Sequence, residues 1–233
     1  MTGYILLEGG AEFSGRMAEP DQRAITLAGG SDAPIHIIPT AAAPDHNHQR
    51  AGGNAKRWFQ GLGASHATVL HLIDADSAND LAIAEQLRTS RLIYLLGGFT
   101  HYLGETLRGS ASWQAMMTAY QSGAVIAGSS AGAMVLCEWY YNPENQQMFQ
   151  GLGLVTRACV LPHYDTFGHR WVQRLTALLP DAALLGIDER TGMLNDGGNP
   201  TERQWCVYGQ GDITIHRKGQ TQTYTEGDLF PFP

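Results

Sequence analysis

A series of short apolar segments, separated by stretches of helical character, constrains the fold of this 233-residue chain more than any other feature. Each segment is closed by Gly, Pro, Asp or Ser, which is typical of buried β-strands. Strands that alternate with helices favour β-α-β units, in which helices cover both faces of a mostly parallel sheet. The predicted strands are residues 4–7, 35–39, 67–72, 92–96, 124–127 and 183–187.

The stretches between these strands predict helices. Residues 77–88 begin at Ser77, a candidate N-cap, and residues 167–179 end before Pro180. The predicted helices are residues 49–62, 77–88, 102–120, 131–139 and 167–179.

The tail of the chain has a different character. Residues 204–208, 212–217 and 221–224 are short, rich in Thr and Tyr, and separated by glycine turns, which predicts antiparallel strands at the edge of the sheet. No linker, repeat or low-complexity tract divides the chain. We therefore predict one α/β domain over residues 1–233, with three αβα layers, a mostly parallel central sheet and antiparallel strands at its C-terminal edge.

Composition excludes several classes of function. Hydrophobic residues make up 43% of the chain, and the net charge of −7 comes without a dense basic run. A nucleic-acid or membrane partner therefore has little electrostatic support. The N-terminal residues lack the pattern of a signal peptide, and no apolar run reaches membrane-spanning length. The three scattered cysteines form no CxxC pair. We expect a cytoplasmic protein with reduced thiols.

One strand-to-helix junction carries a candidate nucleophile. In AVIAGSSAGAMVLCEW, residues 124–139, Ser130 is the central residue of a G-x-S-x-G pattern. A serine at the end of a parallel strand must turn sharply into the next helix, and small neighbours relieve the crowding. The helix N-terminus favours negative charge, so the Ala131 N–H is a candidate donor to an oxyanion.

A pair of glycines follows another predicted strand. Residues 92–96 lead into the turn Gly97-Gly98-Phe99-Thr100. Glycine lets a backbone approach a ligand closely. Gly98 is therefore the candidate for a second oxyanion donor.

A serine hydroxyl needs a base to take its proton, and His163 is the best candidate among nine histidines. It follows the apolar segment ACVLP and opens the polar loop HYDTFGHR. Glu189, in LLGIDERTG, follows another apolar strand and is the candidate that orients the imidazole. The adjacent Asp188 is its rival, because neighbouring strand residues face opposite ways. The order serine, histidine, acid differs from that of α/β-hydrolases.

These segments together resemble peptidase family S51, which contains dipeptidase E and cyanophycinase. The segments ILLEGG, LIYLLGGFTHYL, AGSSAGAMVL, VLPHYDTFGHRWVQRL and LLGIDERTG resemble, in this order, the family's first strand, glycine turn, serine turn, histidine segment and acid segment. The resemblance spans nearly the whole chain. It implies a sheet like that of the class I glutamine amidotransferases.

The resemblance also implies roles for single residues. Ser130 would be the nucleophile, His163 the general base and then acid, and Glu189 the orienting acid. The N–H groups of Gly98 and Ala131 would bind the oxyanion.

Substrate contacts are expected from Phe99, Thr100, Arg170 and Arg174. Phe99 stands where the family usually has Asn. An arginine at 170 or 174 would bind an aspartyl carboxylate as a bidentate fork, and the alternative is that both arginines lie on a solvated helix face. Cyanophycinase-type segments carry an acid and a glutamine before the histidine, where residues 161–162 of this chain are Leu and Pro.

The function implied by the resemblance is that of a serine exopeptidase acting on short peptides or isopeptides, with a small peptide as substrate and no need for a metal or organic cofactor. The sequence leaves the oligomeric state open, with a homodimer as one candidate. Two alternatives remain open: an esterase or amidase that uses the same serine turn, and a non-catalytic amidotransferase-like protein that binds a small ligand.

Overall fold

The computed structural model describes residues 2–199 and 202–232. The strands are β1 (Tyr4–Glu8), β2 (Ile35–Ile38), β3 (Ala67–Val69), β4 (Leu92–Leu95), β5 (Val125–Ser129), β6 (Trp139–Asn142), β7 (Gln147–Gln150), β8 (Ala158–Leu161), β9 (Ala183–Ile187), β10 (Thr191–Asn199), β11 (Glu202–Gly209), β12 (Ile213–Arg217), β13 (Gln220–Tyr224) and β14 (Leu229–Phe230). The helices are α1 (Ala18–Ala28), α2 (His48–Gly61), α3 (Ala75–Ala78), α4 (Leu81–Arg88), α5 (Thr100–Leu107), α6 (Ala111–Gln121), α7 (Ala131–Leu136) and α8 (Val172–Leu178).

The central sheet contains eight of the described strands in the order β14-β11-β10-β1-β5-β4-β2-β3. The five strands from β1 to β3 in this order run parallel. The three strands on the other side of β1 are antiparallel. The predicted α/β class, with a mostly parallel sheet and antiparallel strands at the C-terminal edge, is confirmed.

Helices cover both faces of this sheet because successive strand residues point to opposite sides. Leu6 and Tyr94 belong to one buried cluster, which also contains residues of α1 and α2. Leu7 and Leu95 belong to a second buried cluster, which contains residues of α4, α5, α6 and α7. The chain thus forms three layers, with the site at the edge where the parallel strands end.

A second sheet, not predicted from the sequence, has the order β13-β12-β9-β8. It contains residues 183–187 and the tail segments at 213–217 and 220–224, which we expected in or beside the central sheet. Strand β10 occupies the position next to β1. Strands β8 and β9 therefore pair with each other in parallel, and β12 pairs with β9.

Two predicted helices are divided by polar caps. The predicted helix 77–88 is two helices, because Asp74 accepts a hydrogen bond from the Ser77 N–H at the start of α3, and Asp80 accepts one from the Ala82 N–H at the start of α4. Ser77 therefore completes a capping box and is not the N-cap.

The predicted helix 102–120 is interrupted at Gly109, which has a positive φ of 69°. Ser110 then caps α6 by accepting a hydrogen bond from the Trp113 N–H. The predicted helix 131–139 ends at Leu136, and the chain continues into β6.

None of the helices in the described part of the chain is both long and apolar enough to cross a membrane.

Candidate active site

Ser130 lies between β5 and α7, at the carboxyl end of the parallel strands. Its φ of 49° and ψ of −110° are unusual for a residue with a side chain. A Cβ on Gly128 would lie 2.4 Å from the Gly132 carbonyl carbon, and a Cβ on Gly132 would lie 2.2 Å from the Leu95 oxygen. The glycines of the G-x-S-x-G pattern are thus required by close backbone packing around the serine.

His163 follows β8 and lies beside Ser130. Its Nε2 is 3.1 Å from Ser130 Oγ, and its Nδ1 is 2.8 Å from Glu189 Oε1. A carboxylate only accepts hydrogen bonds, so Nδ1 carries the ring proton and Nε2 accepts from the serine hydroxyl. The structure brings the three predicted side chains into one hydrogen-bonded chain.

Asp188, the rival of Glu189, points away from the imidazole. Its Oδ2 accepts a hydrogen bond from the Asp212 N–H at 2.9 Å. Burial raises the pKa of the Asp188 carboxyl above its usual value. Glu189 is held in place through its own N–H, which donates to Asp165 Oδ1 at 3.0 Å.

The loop after β1 holds the histidine and acid segments against the serine turn. The Gly9 oxygen accepts from the His163 N–H at 2.8 Å, and the Gly10 oxygen accepts from the Arg190 N–H at 3.0 Å. A Cβ on Gly10 would lie 2.3 Å from His163 Cε1, so the imidazole packs directly on this glycine. No residue of this loop was among the predicted site residues. Paired glycines at the end of a predicted parallel strand were the signal that could have found it.

Phe167 covers the other face of the imidazole. Its ring centroid is 5.0 Å from that of His163, with 22° between the planes. The side chains of His163 and Glu189 keep 21% and 27% of their surface exposed, so solvent and a substrate can reach them. Phe167 itself is an exposed apolar side chain.

Ala131 directly follows Ser130, and Gly98 belongs to a turn that lies beside the serine. Ala131 is the first residue of α7, where a backbone N–H has no partner within the helix. A Cβ on Gly97 would lie 3.3 Å from Ser130 Cβ, which places the Gly97-Gly98 turn next to the serine. Gly98 is exposed, has a φ of 136°, and leaves no room for a Cβ, which would lie 2.3 Å from the Ala41 oxygen.

The four predicted substrate contacts have different positions. Phe99 is half-buried at the start of α5, and its N–H donates to the Ala41 oxygen. Thr100 is buried, and its hydroxyl donates to Met134 Sδ at 3.5 Å.

Arg170 and Arg174 are both exposed, which agrees with the alternative that they lie on a solvated surface. Only Arg174 lies in α8. Arg174 donates to Gln146 Oε1 and to the Gln146 oxygen at 2.7 and 2.8 Å. Arg170 lies in the preceding 3₁₀ turn. A substrate carboxylate would therefore have to displace Gln146 to bind Arg174.

A buried pair of carboxyl groups lies behind the site. The side chains of Glu8 and Asp21 are fully buried, Tyr94 donates to Glu8, and Trp58 Nε1 donates to Asp21 at 2.7 Å. The remaining oxygens, Glu8 Oε1 and Asp21 Oδ1, have no hydrogen-bond partner among the described residues. Burial raises the pKa of both carboxyls, that of Asp21 to about 7.

Among the described residues, no three His, Cys, Asp or Glu side chains are grouped as ligands for a metal ion. The side chains that meet at the site supply an alcohol, an imidazole and a carboxylate. Their order along the hydrogen-bonded chain is that of a serine hydrolase, in which the base activates the alcohol and the acid orients the base.

The comparisons with known proteins identify the family. The model of peptidase family S51 matches residues 5–201, and the chain belongs to this family. The protein is therefore a serine peptidase.

Two curated relatives are cyanophycinases. That of Geminocystis herdmanii is 29% identical over 97% of this chain and 84% of its own length. That of Synechococcus elongatus is 26% identical over 91% of this chain and 67% of its own length.

Solved structures agree. A peptidase from an acI-B1 Actinobacterium superposes with a TM-score of 0.86 at 29% identity, over 100% of this chain and 98% of its own. A putative peptidase E from Listeria monocytogenes has a TM-score of 0.61 at 16% identity, over 93% of this chain and 99% of its own, which supports the shared fold.

Proposed function

We propose that the protein is a serine exopeptidase that hydrolyses short peptides or isopeptides, with Ser130 as nucleophile, His163 as base and Glu189 as orienting acid. The observation that carries the proposal is the continuous hydrogen-bonded chain from Glu189 through His163 to Ser130. The strained backbone of Ser130 supports it, because strain of this kind is typical of a nucleophile held on a sharp strand-to-helix turn.

The first half of the reaction forms an acyl-enzyme. His163 Nε2 takes the proton of Ser130 Oγ as this oxygen attacks the peptide carbonyl carbon. The carbonyl oxygen becomes an oxyanion, which the Gly98 and Ala131 N–H groups would bind. The imidazolium, stabilised by Glu189, then donates its proton to the leaving amine as the carbon–nitrogen bond breaks.

The second half hydrolyses the ester. Water loses a proton to His163 and attacks the acyl carbon, and His163 returns the proton to Ser130 Oγ as the ester bond breaks. The enzyme returns to its starting state, and the peptide bond has taken up one water molecule.

Two observations support a short substrate of the dipeptide or isopeptide type. The relatives are described as cyanophycinases, and one structural neighbour is described as a putative peptidase E. However, residues 161–162 differ from the cyanophycinase pattern, and Arg174 is already bound to Gln146. We therefore favour small peptides over cyanophycin, the substrate that the relatives' name implies.

A substrate panel tests this proposal. Purified protein is assayed on Asp-X and X-Ala dipeptides, a β-aspartyl isopeptide and p-nitrophenyl esters, with Ser130→Ala as the inactive control. We expect hydrolysis of at least one peptide that is lost in the variant. Hydrolysis of esters alone would favour the esterase alternative.

Labelling addresses the non-catalytic alternative. A fluorophosphonate should add one adduct to the wild-type protein and none to Ser130→Ala, as read by intact mass. A protein that neither reacts with the probe nor hydrolyses any member of the panel would favour a binding function.

A further inference from the structure

A cavity of about 460 Å³ lies beside the serine turn, between the loop after β1 and helix α2. No step of the reaction above uses it. It is lined by Glu12, Phe13, Asn54, Arg57 and Trp58.

Glu12 connects this cavity with the nucleophile. Its Oε2 accepts a hydrogen bond from Ser129 Oγ at 3.1 Å. Its Oε1 and Ser130 Cβ each lie 3.3 Å from the position that a Cβ would take on Gly97, so they are at most twice that distance apart. A group bound to Oε1 would therefore be a close neighbour of the carbonyl carbon that Ser130 attacks.

No cationic side chain of the described residues pairs with the Glu12 carboxylate. Glu12 is half-buried, and it forms no ion pair with any residue that the structure describes. Its charge is close enough to raise the pKa of both Glu8 and Asp21. A cation bound at Glu12 would neutralise its negative charge. The repulsion between Glu12 and the two buried carboxyl groups would then disappear.

The walls of the cavity suit the same kind of ligand. The rings of Phe13 and Trp58 lie 6.4 Å apart, and Trp58 is fixed by its hydrogen bond to Asp21. Aromatic faces attract ammonium and guanidinium groups. Arg57, the cation of this cavity, is exposed and donates to Asn54 Oδ1 at 2.5 Å, so it stands at the rim and not against Glu12.

We propose that this cavity binds a positively charged group of the substrate, an ammonium or a guanidinium, with Glu12 as its counter-ion. The inference rests on the proposed function, because it takes Ser130 as the centre that the cavity serves. A peptide can offer such a charge at its amino terminus or on a Lys or Arg side chain. The experiment separates these two sources.

Hydrolysis is measured on two matched pairs of dipeptides. In the first pair the α-amino group is free or acetylated, and in the second the first residue is Lys or norleucine. We expect the wild type to prefer the charged member of one pair in kcat/KM, and Glu12→Gln to reduce that preference about tenfold or more. The pair that responds identifies the source of the charge.

The control is Glu85→Gln, which removes the same charge from an exposed position on α4 and should keep the preference. Glu12→Asp keeps the charge and should keep the preference in weaker form, which separates loss of charge from a change in fold. Equal kcat/KM for both members of each pair in the wild type would overturn the proposal, as would an unchanged preference in Glu12→Gln.

A binding measurement distinguishes failure of this inference from failure of the proposed function. Ser130→Ala protein is titrated, with NMR detection, with alaninamide and N-acetylalaninamide, and with n-butylguanidine and its uncharged analogue N-butylurea. Tighter binding of a charged member that depends on Glu12, without any hydrolysis by the wild type, would keep the binding site and overturn the proposed exopeptidase function. Ser130-dependent hydrolysis with equal binding of charged and neutral members would support the exopeptidase function and overturn the cation-binding site.

Discussion

At the scale of single residues, two adjacent acids that follow β9 have different partners. Glu189 faces the imidazole, whereas Asp188 accepts a backbone hydrogen bond from Asp212. The alternation of side chains along an extended backbone produces this division. Both acids could be identified as candidates from the sequence. Only the structure shows that Glu189, and not Asp188, contacts His163.

We predict that Glu189→Gln lowers kcat by about 10²- to 10⁴-fold, because an amide does not stabilise the imidazolium or select the tautomer as a carboxylate does. Asp188→Asn keeps an oxygen that accepts from the Asp212 N–H and should change kcat by less than about threefold. Steady-state kinetics on the best dipeptide checks both variants. A larger loss in Asp188→Asn would exclude Glu189 as the orienting acid.

Phe167 offers a second prediction at this scale. It stacks on His163 and packs against Trp171, so it limits the positions of the imidazole and offers its ring face to the imidazolium. We expect Phe167→Leu to lower kcat by about three- to tenfold with little change in the free energy of unfolding, because the ring is partly exposed. An unchanged kcat would show that the stacking has no part in catalysis.

At the scale of secondary-structure elements, the site is a meeting of strand ends from two sheets. The loop after β1 accepts hydrogen bonds from the His163 and Arg190 N–H groups and so joins the second sheet to the first. The turn after β4, which contains Gly98, and the turn after β5, which contains Ser130, form the rest of the site. Their glycines fit where a side chain would collide with a neighbouring backbone.

We predict that Gly98→Ala costs about 1–3 kcal/mol more stability than Gly109→Ala, and that it also lowers kcat. Both glycines have positive φ, but a Cβ on Gly98 would lie 2.3 Å from the Ala41 oxygen, whereas a Cβ on Gly109 would meet nothing within 4 Å. Gly109 therefore isolates the cost of backbone conformation. The free energy of unfolding of both variants is measured by urea denaturation. Equal losses in the two variants would contradict the crowding at Gly98.

Strands β1, β2, β4 and β5 could be predicted because each is a short, fully or largely buried apolar run. Strand β10 was missed because tertiary contacts, not local pattern, hold it in place. It contains Asn195, whose side chain accepts from the Ile5 N–H at 2.6 Å, and Asp196, which pairs with Arg23. Its pairing with β11 is also irregular between Leu194 and Gly197.

At the scale of the whole molecule, the elements of the site could be predicted separately, but their assembly could not. Ser130, His163 and Glu189 each follow an apolar run, and this local pattern can be recognised in the sequence. The second sheet depends on β10 occupying the edge of β1, which involves partners distant in the chain. The sequence therefore indicated which residues could meet, whereas the hydrogen bond from Ser129 to Glu12 became apparent only in the packed structure.

The buried acids make the stability of the whole molecule depend on pH. Burial raises the pKa of Glu8 and Asp21 in the folded protein, and the nearby Glu12 raises both further. The folded state therefore holds protons that the unfolded chain releases at lower pH. The stabilisation is complete below the unfolded pKa of Asp, 3.8, and is lost as the pH rises through about 7.

We predict that the Tm of the wild type falls between about pH 5 and about pH 8.5, and that Asp21→Asn has a smaller fall. An asparagine can accept from Trp58 Nε1 and donate to Glu8 without a charge. Thermal unfolding across this range, followed by circular dichroism, measures the difference. Parallel curves for the two proteins would show that this acid pair does not control the pH dependence.

The most direct test of the central claim compares kcat/KM for peptide hydrolysis in the wild type, Ser130→Ala and Ser122→Ala. Ser122 is an exposed serine whose hydroxyl bonds to the Thr118 oxygen within α6, so it controls for loss of a hydroxyl elsewhere. If Ser130 is the nucleophile at the end of the Glu189–His163 chain, its removal lowers kcat/KM by about 10³-fold or more, and Ser122→Ala retains the wild-type value. A Ser130→Ala protein that cleaves the same peptide at the wild-type rate would contradict the account.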